Sequence, residues 1–292
     1  MQAEGFPITL WRYAPLEYYQ GAISTHAMRL AFAKYRFDWC FLLDADEFLT
    51  SPRRAYENVL GALPPNTLAG LKWRTFVPVS NGYFRFSNPL FRMFKPRATE
   101  VREMIKVVVP RSLADSVILS EGNHNVCTPG VGGKVLDAPP LDHAPIRSPE
   151  QLLAKVMINS RKKELKTKRE RLEGFHLFQM AESIRRSGFR INDAQMTALA
   201  RTYCQFPGEA VADIDFDARP LGLRTDRIRY RDMCQVNLLE RLDGFIGNLV
   251  EAIKERRADH FTNLSPEEAL AEAAKGFIPV RAAARNSPVR VD

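Results

Sequence analysis

Phe41-Leu42-Leu43-Asp44-Ala45-Asp46-Glu47-Phe48 runs from an apolar stretch straight into three carboxylates. Like charges repel, and a carboxylate drawn out of water costs on the order of several kcal/mol unless something compensates it. In an extended backbone Asp44 and Asp46 project to one side, Ala45 and Glu47 to the other. Two hard oxygen ligands in one place suit Mg²⁺ or Mn²⁺, which commonly bridge one or two carboxylates to substrate phosphates. The chemistry on offer is a metal and, through it, a pyrophosphate, with stabilisation of the charge that grows on a departing nucleotide. The same residues have a plainer use, as caps of the next turn or partners of Arg53, Arg54 or another surface arginine. Asp-x-Asp alone does not choose between them.

The acidic residues need an element that holds them. Residues 39–43 are continuously apolar, as in a strand buried on both faces, and the carboxylates follow at its C-terminal end, where open α/β sheets bind ligands. Before it, Ile23, Ala27, Leu30 and Ala31 follow helical spacing to about Tyr35. After it, Ser51-Pro52 can open a helix ending near Leu63-Pro64-Pro65-Asn66, and strands are expected around 68–77, 104–110 and 116–119. Ser148 as N-cap, Pro149 at the first helical position and Gln151 closing a capping box predict a helix, with Leu152, Leu153, Val156 and Met157 as its buried stripe. Beyond about 160 strand signals thin out. Apolar residues repeat on one helical face over 238–253, and Ser265-Pro266-Glu267-Glu268 opens a short helix that could stop at Gly276. The expected organisation is an α/β core over 1–160, a helical region over 161–280 and a flexible tail over 281–292.

With 292 residues, 45% hydrophobic and 26% charged, the chain can bury a substantial core. No run approaches the ~18 apolar residues that span a bilayer, and the N-terminus lacks the basic-then-apolar layout of a secretion signal, so a cytoplasmic protein is expected. Cys40, Cys127, Cys204 and Cys234 form no Cys-x-x-Cys pair, which suggests neither a zinc site nor a disulfide framework. The net charge of +8 favours acidic partners. Part of it lies in Arg161–Arg171, a solvated helix surface or a patch for peripheral membrane contact; without interleaved aromatics it does not suggest nucleic acid.

The stretch from Asp38 to Leu49 resembles the D-W-x-x-x-x-D-x-D-E-F-L segment of bacterial glycosyltransferases of the family 2-like group. Leu71-Lys72-Trp73-Arg74-Thr75-Phe76, the segments at 81–86, 105–110 and 122–126, and Leu141 to Val156 follow in the order that group shows them, so the resemblance covers roughly residues 20–160. It implies a GT-A fold, a Rossmann-like mixed sheet flanked by helices. It further implies a UDP-sugar or similar nucleotide-sugar donor, Mn²⁺ or Mg²⁺ held by Asp44 and Asp46, and sugar transfer to a hydroxyl of a glycan or lipid-linked glycan. Members usually begin with a further strand, helix and strand that shape the base pocket, and this chain is expected to start after them.

A third ligand in GT-A enzymes is often a downstream histidine. His124, among small polar residues past an expected strand, is preferred; His143, just before a helix, is the alternative, equally suited to bonding the helix start. An inverting transferase needs a carboxylate base near the acceptor, for which Glu121 and Asp142 qualify only as neighbours of the two histidines. Arg147 and Lys155 could neutralise phosphate, Trp73 could stack on a sugar or base or be a core aromatic, and Glu47 is expected to anchor the turn. Two other readings compete. A haloacid-dehalogenase-type phosphohydrolase would use Asp44 as nucleophile and Asp46 as acid/base, although Phe48 stands where that group has Thr or Val. A non-catalytic nucleotide- or glycan-binding module would keep the pocket without turnover.

Overall fold

The computed structural model describes residues 9, 11–13, 20–79, 94–164, 175–206, 208–219, 221, 244, 246–248, 250–251 and 264–279. The predictions for 81–86 and 281–292, and most of those for 161–171 and 238–253, fall outside them. The chain divides into two compact units, one of residues 1–40, 110–131 and 264–292, the other of residues 41–109 and 132–263. Position 160, the boundary expected from sequence, lies inside a helix.

In the first unit, β1 (Trp11–Tyr13) pairs antiparallel with β8 (Phe277–Pro279), and α1 (Gln20–Lys34) packs Ala22 against Ala269 and Ala273 of α6 (Pro266–Lys275). The helix expected from Ile23 thus begins a turn earlier. Helix α6 has the predicted capping box, with Ser265 Oγ accepting from Glu268 N–H, and its C-cap is Gly276. The strand expected at 116–119 does not form. The segment has one antiparallel bridge, Leu119 to Val126; the N–H groups of Ser116 and Val117 turn back to Leu113 C=O, while those of Ile118 and Leu119 go to side chains, Thr128 Oγ1 and Thr25 Oγ1. Local side-chain acceptors there replace a sheet partner.

In the second unit, β4 (Leu68–Pro78) is the hub: it pairs parallel with β7 (Gly133–His143), and antiparallel with β6 (Ile105–Pro110) and β5 (Phe94–Pro96). β3 (Glu47–Phe48) lies antiparallel on β7. With β2 (Trp39–Phe41), of which only Phe41 falls in this unit, the sheet has six strands in the order β2-β6-β4-β7-β3, β5 attaching to β4. It is a mixed, strongly curled sheet without a clear Rossmann order. One source of irregularity is visible: Leu71 faces Leu136 but Trp73 already faces Leu141, so Asp137-Ala138-Pro139-Pro140 forms a bulge opposite Lys72. Bulges tolerate the missing N–H of proline and increase strand twist.

Two short-range expectations change. Only 39–41 pair as a strand, and they are half-buried rather than covered on both faces. Asp44 to Glu47 is a turn, closed by Glu47 N–H on Asp44 C=O at 3.1 Å, so the carboxylates do not follow strand alternation. Helices α2 (Arg53–Gly61) and α3 (Pro149–Glu164) begin where predicted. At α3, Ser148 Oγ accepts from Gln151 N–H (3.1 Å) while Gln151 Oε1 reaches back to the N–H of Arg147, one residue before the usual position. Leu152, Leu153, Val156 and Met157 are all buried, in one core with Val77, with Met180 and Ile184 of α4 (Phe175–Arg186) and with Met196 and Ala200 of α5 (Asp193–Arg201). This core fixes the face that α3 turns toward the acidic residues.

Candidate active site

Strand register assembles the site. Trp73 opposes Leu141, Thr75 opposes His143, and across β7 His143 also opposes Glu47, while on the other neighbour of β4 Leu71 opposes Lys106. Alternation then puts Lys106, Trp73, His143 and Glu47 on one face of the sheet and Arg74 with Asp142 on the other. Trp73 and His143, diagonal neighbours, stack with ring centroids 3.9 Å apart, and Tyr203 meets His143 edge-on at 5.6 Å.

Glu47 is enclosed. Its Oε1 accepts from Trp73 Nε1 (3.0 Å), its Oε2 from the backbone N–H of Asp44 (2.8 Å), and Lys106 Nζ lies 3.1 Å away. The turn-anchoring part expected of Glu47 is present. Burial pushes its carboxyl up to about 7, and Lys106 and the Asp44 N–H only partly oppose this. Lys106 is itself 1% exposed and also donates to Asp44 Oδ2 at 2.6 Å. One buried ammonium is thereby shared by two carboxylates.

Asp46 has its own cation. Lys155, from α3, donates to Asp46 Oδ2 at 2.7 Å and passes 5.1 Å from the Tyr203 ring. His143 Nε2 is 4.0 Å from the same oxygen. Burial raises the Asp46 carboxyl, but Lys155, then His143 and Arg147, outweigh it and hold the group below the usual carboxylate range. Burial also keeps the His143 imidazole well below its ordinary value, with Asp46 pulling upward and Lys155, Lys106 and Arg97 downward. It is neutral near pH 7, and its Nδ1 is buried without a hydrogen-bond partner among the described residues. Arg147 Nη1 covers the turn, donating to Ala45 C=O at 3.0 Å.

The predicted residues therefore separate into three groups. Asp44, Asp46, Trp73 and His143, with Arg147 and Lys155, come together in the second unit. Asp142 lies on the opposite face of the sheet, 1% exposed, gripped by Arg74 at 2.7 and 2.9 Å. His124 and Glu121 belong to the first unit, where Glu121 Oε1 accepts from Gly21 N–H at 3.2 Å and so caps α1. Lys106 and Tyr203 went unnoticed in the sequence. For Lys106 the signal was a lone charge inside Ile105–Pro110, a strand otherwise apolar: a buried lysine needs a buried carboxylate.

Comparison with protein-family models, with curated proteins and with solved structures returned no match in any of the three. The site must be judged on its own geometry.

A divalent cation is a poor fit to the arrangement. Among the described residues no group of three or more His, Cys, Asp or Glu side chains is disposed to hold a metal ion. Asp44 and Asp46 turn to different lysines instead of converging on one point. A divalent ion on either aspartate would have to displace an ammonium that already sits on the carboxylate oxygen, Lys106 at 2.6 Å or Lys155 at 2.7 Å. Beside Trp73, a hollow lined by Arg97, Glu100, Tyr203 and Gln205 has about 10 Å³ of room. That is space for one water, and Arg97 Nε and Gln205 Oε1, both buried and without a hydrogen-bond partner among the described residues, are suited to hold it.

Among the described residues no helix is long and apolar enough to cross a membrane.

Proposed function

We infer that the protein is a glycosyltransferase that moves a sugar from a nucleotide-diphosphate donor, a UDP-sugar in the first instance, to a hydroxyl of a glycan or lipid-linked glycan. The second unit would be its GT-A-type core in a strongly curled form. The observation that carries this reading is the convergence of Asp46, His143, Lys155 and Arg147 around the Asp44–Glu47 turn, from two segments of the family 2-like pattern, 38–49 and 141–156, that lie about a hundred residues apart. Structural ion pairs need no such gathering of an imidazole, a guanidinium and an ammonium at a half-open turn.

In this reading Lys155 and Arg147 face the diphosphate. Both are cations at the rim of the turn, and charge-assisted hydrogen bonds to phosphate oxygens are among the stronger polar contacts. As the bond from the sugar carbon to the diphosphate oxygen breaks, negative charge collects on the leaving diphosphate, and preorganised cations favour that state over the ground state. Neutral His143, packed between Trp73 and Tyr203, would hold Asp46 and the turn in register. Glu121 and Asp142 are each committed to structural bonds, so neither is assigned as base.

The test is release of UDP from a panel of UDP-sugars by the full chain, with and without candidate glycan acceptors, alongside hydrolysis of a generic phosphate ester. UDP release that rises with acceptor supports the transferase. Phosphate release from the ester would favour the phosphohydrolase, in which Asp44 attacks. Stabilisation by UDP without turnover would favour the binding module.

A further inference from the structure

We propose that the ammonium groups of Lys155 and Lys106 stand where the resemblance puts a divalent ion, so that the acidic turn does not recruit Mn²⁺ or Mg²⁺ and a nucleoside diphosphate is met by Lys155 and Arg147 without metal. The diphosphate half of the statement rests on the function proposed above; the metal half does not.

Three observations carry it. Each aspartate of the Asp-x-Asp pair already has a cation at hydrogen-bond distance, 2.6 Å for Lys106 on Asp44 and 2.7 Å for Lys155 on Asp46. Neither lysine is an adventitious surface arm. Lys106 is 1% exposed on the central part of the sheet, and Lys155 is placed by a helix whose next turn is locked in the core through Val156 and Met157. Lastly, the third acidic residue is not left over to complete a metal site, because Glu47 is fully enclosed by Trp73 Nε1, the Asp44 N–H and Lys106. Three carboxylates are thus balanced by Lys106 and Lys155, with Arg147 above the turn on Ala45 C=O. Of the two ammonium groups Lys155 is the more accessible, its side chain 20% exposed against 1% for Lys106. It can exchange Asp46 for a phosphate oxygen while Lys106 stays on Asp44 and Glu47. A carboxylate left behind by Lys155 stays beside His143 Nε2, 4.0 Å away.

Removing Lys155 should uncover the latent metal site, since Asp46 and His143 are then adjacent donors and the ammonium that sits on Asp46 Oδ2 is gone. The experiment is calorimetric titration of Mn²⁺ alone into the full, chelator-treated chain as wild type, Asp46→Asn, Lys155→Met, Lys155→Arg and Asp46→Asn/Lys155→Met. The expected result is no one-to-one Mn²⁺ binding by wild type or Lys155→Arg, saturable one-to-one binding by Lys155→Met, and its loss in the double variant. One-to-one Mn²⁺ binding by wild type that Asp46→Asn abolishes would overturn the proposal, and this comparison stands even should Lys155→Met fail to fold. A second arm titrates UDP in EDTA and in Mn²⁺. Equal affinities are expected, and UDP binding seen only with Mn²⁺ overturns the proposal. Absence of UDP binding in both conditions refutes the diphosphate half and with it the function reading, while the Mn²⁺ titrations still decide the metal half.

Discussion

Glu47→Gln should change how stability depends on pH, and the sign follows from burial. The folded carboxyl is pushed from 4.5 up to about 7. Between those values the native protein keeps a proton that the unfolded chain has released, so Glu47 contributes stability that is fully present below about 4.5 and is lost as pH rises through about 7. A displacement of that size corresponds to roughly 3 kcal/mol. His143 works in the opposite sense: lowered well below 6.5, it favours the native state as pH rises to 6.5, so the wild-type profile is a difference of two slopes. Subtracting the Glu47→Gln profile isolates the glutamate, because both proteins keep His143. Urea unfolding at half-unit steps from pH 5 to 8.5 is the assay. At pH 5 glutamine and protonated glutamate should be nearly equivalent, apart from the bond to the Asp44 N–H, worth about 1 kcal/mol. By pH 8.5 the variant should have gained about 3 kcal/mol on wild type. A difference that is flat across this range, or that turns against the variant at high pH, would refute the reasoning, since it would mean that Lys106 and the two hydrogen bonds overcome burial.

Asp142→Asn leaves Arg74 without its carboxylate on the outer face of the sheet; because Arg74 is 45% exposed the cost should be roughly 2 kcal/mol, below the range for fully buried pairs, measured as a loss in urea unfolding. Leu152→Ala empties a fully buried position between α3 and the sheet and should cost about 2 to 5 kcal/mol, lowering the melting temperature by several degrees. Asn192→Ala removes the side-chain acceptor of the α5 capping box and should cost about 1 kcal/mol without altering ligand binding.

The sequence disclosed the local elements better than the sheet. Helix starts at Ser148-Pro149 and Ser265-Pro266 were legible because N-caps and a first-turn proline act within four residues, and the start after Ser51-Pro52 was found through the proline, which is the N-cap there and makes no side-chain cap. β7 was not, because Asp137-Ala138-Pro139-Pro140 reads as a breaker until Lys72 is known to lie opposite it as the bulge partner. β3 was hidden for another reason: a two-residue strand has no periodicity, and only pairing to His143 and Asp142 defines it. The site was half visible. Asp44, Asp46, Lys155 and Arg147 could be named from residue type, yet which cation meets which carboxylate depends on contacts 62 and 109 residues apart in the chain. Between the two histidines the local sequence carried no deciding signal; the pairing of β3 on β7 puts His143 beside the acidic turn.

The central claim, that the balanced acidic turn receives a nucleoside diphosphate through Lys155, is tested most directly by titrating UDP into wild type and Lys155→Met with Asn192→Ala as control. Saturable one-to-one binding by wild type and control, weakened about tenfold or more in Lys155→Met, is the predicted result, in keeping with loss of one charge-assisted hydrogen bond. UDP that fails to bind wild type, or binds Lys155→Met equally well, would contradict it.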